Sequence, residues 1–214
     1  MGIVKTNPCS KNWEANNIIY EESVNPDGFN YEHFYNGINY VSPGIHLNAH
    51  GYYKECLKYA QSGDKWLDVG CGSGLNFSQS IKVGIEAYGI DIVDKSIEIA
   101  NTRGIKAIKC SACEKYPFPD KYFDFITATD VLEHLLENDV SKALNEIYRV
   151  QKDGGYLLLA SCPGNSCNNK PVKNWKQHLH LTLKSKNEWL KMYEKHGFAL
   201  VEESVCHAFI LKKV

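Results

Sequence analysis

From Lys65 onward, short runs of consecutive apolar residues alternate with segments whose apolar residues recur every three or four positions. The runs predict β-strands over residues 65–70, 86–91, 105–110, 122–129, 154–161, 198–205 and 207–214. The periodic segments predict helices over residues 75–84, 93–104, 140–151 and 185–197. Consecutive apolar residues within strands indicate that helices cover both faces of the sheet. The alternation therefore predicts an α/β fold with a doubly wound, mostly parallel sheet of seven strands.

The first sixty residues follow no regular period, and "NPDG" and "SPG" mark turns among them. Residues 49–63 then predict a helix that ends at Gly63 and carries on one face Tyr52, Cys56, Tyr59 and Ala60. We expect residues 1–62 to form an amino-terminal extension and helix over the functional site. Residues 63–214 are expected to form one globular domain.

The composition narrows the class of protein. The 214 residues are 43% hydrophobic and 23% charged with a net charge of -1, which argues against broad electrostatic capture of nucleic acid or membrane. With no bilayer-length apolar run and no visible cleavable signal, we expect a cytoplasmic monomer or homodimer that does not bind membranes. The eight cysteines should then be reduced thiols, with a zinc site as the alternative for Cys110, Cys113, Cys162 and Cys167.

A glycine loop, "LDVGCGSGLN", follows the first predicted strand of the domain. Glycines at Gly70, Gly72 and Gly74 do not match the G-x-G-x-x-G spacing of a dinucleotide site, because the next position is Leu75. The lysine and hydroxyl of an ATP-binding P-loop are also missing from their places. Asp91 ends the second predicted strand, where a carboxylate can accept both hydroxyls of a ribose. The pattern indicates a nucleoside ligand with a non-phosphate tail.

Taken together, "LDVGCGSG", "GIDIVDKSIEIA", "EKYPFPDKYFDFITATDVLEHL" and "GGYLLLASCPG" resemble the class I S-adenosylmethionine (SAM)-dependent methyltransferases. The motifs stand in the family's order over roughly residues 65–163. The resemblance implies a Rossmann-like sheet with an antiparallel last strand, SAM as cofactor and methyl transfer as activity. A domain that binds NAD, or a SAM-binding partner subunit without activity, is the alternative.

The resemblance also assigns roles by position. In the family, the glycine loop surrounds the methionine part of SAM, and here it comprises Asp68, Gly70, Cys71, Gly72 and Gly74. Residues expected at the ribose and adenine are Asp91, Ile92, Ala112 and Cys113. Ala112 stands where many relatives carry an acid that contacts the adenine amino group. Asp130 and Val131 are expected close to the sulfonium.

An acid and histidine cluster follows the fourth predicted strand. Asp130, Glu133 and His134 have helical spacing, which predicts one shared face, and His178 and His180 come later. We favour Glu133, His134 and His180 as catalytic residues, with an imidazole as general base for a hydroxyl acceptor. Methyltransferases of ubiquinone synthesis and of the terminal ribose of small RNAs carry a similar E-x-x-E-H with a metal. A divalent metal on Asp130, Glu133, His134 and His180 is therefore the alternative that we favour less.

The acceptor pocket of such enzymes is usually built by the amino-terminal extension and the segment after the fifth strand. Candidate substrate residues in these regions are Tyr35, His46, His50, Tyr53, Trp175 and His178. Aromatic and hydrogen-bonding groups suit a polar small molecule or a glycan with a hydroxyl or amine acceptor. Lysines around Trp175 leave metal-assisted methylation of an RNA 2'-hydroxyl as an alternative, although the balanced charge argues against a nucleic-acid partner.

Overall fold

The computed structural model describes residues 24–25, 28–29, 52–75, 81–161, 180–204 and 207–214. Two short strands near the amino end, β1 (Val24–Asn25) and β2 (Gly28–Phe29), pair antiparallel across the NPDG turn signal. Seven further strands form one sheet: β3 (Lys65–Val69), β4 (Glu86–Asp91), β5 (Lys106–Lys109), β6 (Phe123–Thr129), β7 (Gln151–Ala160), β8 (Phe198–Glu203) and β9 (Ala208–Lys213).

The sheet has the order β5-β4-β3-β6-β7-β9-β8. Strands β5, β4, β3, β6 and β7 pair in parallel, whereas β9 runs antiparallel to both of its neighbours. The predicted doubly wound sheet of seven strands with an antiparallel last strand is therefore confirmed. Chain order reverses at β3, so the carboxyl ends of β3, β4 and β6 border the crevice where ligands of such sheets bind.

The described helices are α1 (Tyr52–Leu57), α2 (Asp94–Thr102), α3 (Glu137–Val150) and α4 (Lys186–Lys195), with a 3₁₀ helix over Leu132–His134. Helix α4 starts where predicted because Ser185 and Glu188 form a capping box, in which each side chain bonds the other residue's backbone N–H. Helix α1 ends before the predicted Gly63, with turns in between. Part of the predicted helix over residues 75–84 lies outside the described residues. None of the described helices combines the length and apolar character needed to cross a bilayer.

Two hydrophobic clusters lie on the two faces of the sheet. In β7, Leu157 and Leu159 belong to one cluster, whereas Leu158 and Ala160 belong to the other. Helices α3 and α4 cover the first face, and α1 and α2 contribute Cys56 and Ala100 to the second. Both faces are thus buried, which explains why the strands read as continuous apolar runs. The boundary after residue 62 stays a prediction, as does a covering role for the extension.

Candidate active site

The glycine loop leaves β3 with three residues in the left-handed region: Gly70 (φ 70°), Gly72 (φ 53°) and Gly74 (φ 68°). Added side-chain carbons at Gly70 and Gly74 would clash with Val131 and Ile105, respectively. The backbone conformation and the close neighbours therefore both require glycine at these two positions. The glycine loop therefore packs against the segment that follows β6, through the contact between Gly70 and Val131.

Asp91 ties the loop to the end of β4. The Gly72 N–H donates to Asp91 Oδ2 (2.8 Å), and the Val93 N–H donates to Asp91 Oδ1 (2.9 Å). The N–H groups of Gly70 and Cys71 both donate to the carbonyl of Ile90, at 2.8 and 3.0 Å. These bonds hold the Asp91 carboxylate beside the loop, which suits the predicted ribose contact.

Asp68 lies buried at the base of the loop, on β3. The Thr127 hydroxyl donates to Asp68 Oδ1 (2.6 Å), and the Trp66 indole N–H donates to the same hydroxyl oxygen (3.1 Å). Burial raises the pKa of Asp68 to about 7 against the opposing effect of the Thr127 hydrogen bond, and the charge of Asp91 raises it further. A cation beside this carboxyl would offset the cost of burying the ionised form. The ammonium group of the methionine part of SAM is such a cation.

The residues predicted to contact adenine follow β4 and β5 at the same edge of the sheet. Ile92, Ala112 and Cys113 are each half-buried. The Ala112 carbonyl accepts a hydrogen bond from the buried Tyr116 hydroxyl (2.8 Å), which fixes the turn after β5. The arrangement agrees with a ligand lying across the ends of β4 and β5, and the individual contacts stay predictions.

Asp130 departs from the expected shared face. Its backbone adopts φ 53°, and the 3₁₀ helix begins only at Leu132, so helical spacing from Asp130 does not apply. Instead, Asp130 Oδ1 lies 3.8 Å from Nε2 of His207, the residue before β9. His207 is buried and was not among the predicted site residues. Its position directly before the last strand could have indicated this approach to Asp130, because an antiparallel last strand starts at the edge where the parallel strands end.

Glu133, His134 and His180 come together as predicted. One ligand atom of each lies within 4.8 Å of the others, and Glu133 and His134 are buried. The His134 and His180 rings meet edge to face, with centroids 4.8 Å apart. Because Leu181 and Thr182 donate backbone N–H groups to the Glu133 carbonyl (2.8 and 3.1 Å), the segment after His180 is fixed to the 3₁₀ helix. A buried carboxylate beside two imidazoles can orient them for proton transfer or can share a cation with them.

The other predicted positions are accounted for as follows. Trp189 and Tyr193 are buried in the core on α4. Tyr53 lies in helix α1. Five substrate-site predictions lie outside the described residues: Tyr35, His46, His50, Trp175 and His178.

Comparison with known proteins gives the family. The profile of the family described as "Methyltransferase domain" matches residues 67–159. An uncharacterised methyltransferase of Schizosaccharomyces pombe is 35% identical over 50% of this chain and 45% of its own length. An uncharacterised protein of Methanocaldococcus jannaschii is 32% identical over 67% of this chain and 69% of its own length. The matches thus span about half to two thirds of these relatives.

The fold agrees with the sequence match. A SAM-dependent methyltransferase from Methanosarcina mazei superposes with a TM-score of 0.64 at 20% identity, over 75% of this chain and 97% of that one. Two further relatives are named as a ubiquinone biosynthesis O-methyltransferase and a ubiquinone/menaquinone biosynthesis C-methyltransferase, so their names differ in the type of atom methylated. With the glycine loop, Asp91 and the sheet order in place, the chain belongs to the class I SAM-dependent methyltransferases.

Proposed function

We propose that this protein transfers the methyl group of SAM to a hydroxyl or amine of a polar small molecule or glycan. The observation that carries the acceptor side of the proposal is the buried cluster of Glu133, His134 and His180, whose ligand atoms lie within 4.8 Å of one another. A hydroxyl must lose its proton when it is methylated, whereas the donor needs no activation by the protein. The cluster is the group of side chains best suited to accept that proton.

The cofactor side rests on the loop and its two acids. SAM, when bound, supplies a methyl group already activated by a positively charged sulfur. Gly70, Gly72 and Gly74 shape the turn, Asp91 stands beside the loop for a ribose, and buried Asp68 suits a cationic ammonium. The protein's contribution is then to bind and align the two reactants. Such alignment supplies a large part of the rate acceleration of a bimolecular reaction.

The acceptor side rests on burial and orientation. Glu133 is fully buried, and burying an ionised carboxylate is unfavourable unless a partner of opposite charge or hydrogen bonds compensate it. An imidazole that takes a proton becomes such a partner, so Glu133 stabilises the protonated form of His134 or His180. This is the general logic of a base oriented by a third group, here applied to a hydroxyl acceptor.

A divalent metal is the second candidate for the same cluster. Two imidazoles and one carboxylate within 4.8 Å fit the three protein ligands of catalytic zinc or of non-haem iron. Glu133, His134 and His180 would hold the ion, which would supply Lewis-acid activation of an acceptor hydroxyl. Asp130, the fourth ligand of the sequence alternative, faces His207 instead and does not belong to this group.

An RNA acceptor receives less support. Of the lysines flanking Trp175, Lys184 lies 2.6 Å from Glu137 and Lys186 lies 2.6 Å from Glu203. The two carboxylates offset the local positive charge that a phosphate track needs. Lys170, Lys173 and Lys176 lie outside the described residues.

The proposal is tested by following methyl transfer from labelled SAM to a panel of hydroxyl- and amine-bearing metabolites and glycans. We expect methylated product from wild type and a large loss, on the order of 10²-fold or more, in His134→Asn or His180→Asn. His196→Asn is the matched control, since His196 bonds the Met192 carbonyl at the end of α4 and should leave turnover unchanged. Binding of SAM without transfer to any acceptor would favour a non-catalytic partner subunit. Binding of NAD in place of SAM would refute the assignment of SAM as the cofactor.

A further inference from the structure

A second acid–imidazole pair stands at the carboxyl edge of the sheet, apart from Glu133, His134 and His180. His207 Nε2 lies 3.8 Å from Asp130 Oδ1, and the two side chains are only 7% and 10% exposed. A carboxylate withdrawn from water needs nearby polar or cationic groups, and the imidazole is one of those that Asp130 has. The pair joins the residue after β6 to the residue before β9.

Strand β7 aligns both members of the pair. The Asp130 N–H donates to the carbonyl of Ala160, the last residue of β7, at 2.9 Å. Ala160 also pairs with Ala208, the residue that follows His207. Asp130 itself sits at φ 53°, a conformation that few non-glycine residues adopt and that Asp and Asn tolerate best. Non-glycine residues in such conformations cluster at functional sites.

The pair adjoins the cofactor loop. Val131 occupies the space that a side chain at Gly70 would need, and Asp130 directly precedes Val131 in the chain. Asp130 therefore borders the loop. SAM carries a positive charge on its sulfur, whereas its product, S-adenosylhomocysteine (SAH), has a neutral thioether at the same atom. A carboxylate that borders the cofactor site favours the first over the second.

We propose that Asp130, positioned by His207, is the residue by which the protein distinguishes cationic SAM from neutral SAH. The inference rests on the proposed function, because it concerns the same cofactor site. This preference for the cationic form would favour replacement of SAH by SAM after each turnover. It requires no contact with the acceptor. Asp130 is the specificity-determining residue, and His207 is a positioning residue that acts through it.

The test is the ratio of the dissociation constants of SAM and SAH, measured by titration calorimetry at one neutral pH. In Asp130→Asn, which keeps a residue suited to φ 53°, SAM binding should weaken by about tenfold and SAH binding by no more than about twofold. His207→Phe should change the ratio in the same direction by a smaller factor, and His207→Gln, which keeps a polar side chain beside Asp130, should restore it. Asp153→Asn is the charge-matched control near the opposite end of β7, and its ratio should equal that of wild type.

The outcomes separate the inference from the proposed function. Wild type that binds neither SAM nor SAH would overturn the function itself. Equal weakening of SAM and SAH in Asp130→Asn would leave the function standing and overturn the charge selection. A ratio unchanged in a His207→Phe protein that still binds SAH would remove His207 from its positioning role. Should Asp130→Asn fail to fold, Asp130→Gly suits the same backbone angle and also removes the charge.

Discussion

The imidazole rings of His134 and His180 meet edge to face at 4.8 Å, although one follows β6 and the other precedes α4. Their contact depends on hydrogen bonds around them. The Glu133 carbonyl accepts bonds from the Leu181 and Thr182 N–H groups, and the Thr182 hydroxyl donates to the Leu135 carbonyl (2.7 Å). The segment that carries His180 is therefore anchored at the turn that carries Glu133 and His134.

We predict that Thr182 positions His180 through this anchor. Thr182→Val keeps the shape of the side chain but removes the hydroxyl, so His180 should lose its fixed place. Turnover should fall by about tenfold or more, since small misplacements of catalytic groups are costly, while SAM affinity stays unchanged. Thr182→Ser keeps the hydroxyl and should retain most of the activity. Equal turnover in the two variants would show that the hydroxyl has no positioning role.

A second prediction concerns the glycine loop. Gly70→Ala should abolish or strongly weaken SAM binding, because the added carbon meets Val131 and the backbone is left-handed. Gly63→Ala is the matched control: Gly63 has φ 91°, and nothing lies within 4 Å of the added carbon. Both variants should lose about 1–2 kcal/mol of stability from the left-handed residue, and Gly70→Ala should lose more because of the collision. Only Gly70→Ala should lose SAM binding. Calorimetry and urea unfolding of the two proteins measure these quantities.

The same pair of sites allows a rescue experiment. Val131→Ala removes the methyl groups against which the added carbon of Gly70→Ala collides. The double variant should therefore recover part of the SAM affinity lost in the single variant. If the double variant binds no better than Gly70→Ala, the backbone angle and not the contact with Val131 explains the loss.

A third prediction follows from the raised pKa of Asp68. The ordinary pKa is 3.8 and the folded value is about 7, so the folded state binds this proton more tightly than the unfolded state does. The free energy of unfolding should therefore fall as pH rises from about 4 to 7. Asp68→Asn, which stays neutral, avoids this loss. Its stability advantage over wild type should widen by about 2–3 kcal/mol between pH 5 and pH 8.

Urea unfolding of the ligand-free proteins at the two pH values gives this difference. Thr127→Val should steepen the decline of stability with pH, because the Thr127 hydroxyl donates the hydrogen bond that lowers the pKa of Asp68. SAM affinity should drop in Asp68→Asn, since a neutral amide attracts no ammonium. A stability advantage that stays constant from pH 5 to pH 8 would contradict the raised pKa.

Local sequence patterns predicted most of the fold because they reflect local physics. The strands and α4 follow from apolar runs and from the Ser185–Glu188 capping box, and the loop follows from glycines whose backbone angles other residues avoid. The Asp130–His207 contact could not be predicted from spacing. It requires the left-handed turn at Asp130 and the return of β9 to the edge of the sheet, both set by tertiary pairing.

The last prediction separates the two chemistries of the Glu133, His134 and His180 cluster. If an imidazole is the base, exhaustive treatment with a chelator should leave turnover unchanged. Glu133→Gln should then reduce turnover while leaving SAM affinity intact, because the amide no longer stabilises a protonated imidazole. If the cluster binds a divalent ion, the chelator should abolish turnover and one ion among Mg²⁺, Mn²⁺, Zn²⁺ and Fe²⁺ should restore it. We expect the metal-free result, because buried Glu133 can stabilise a protonated imidazole without an ion. Binding of Zn²⁺ to wild type but not to His180→Asn, followed by calorimetry, would decide for the metal even before an acceptor is known.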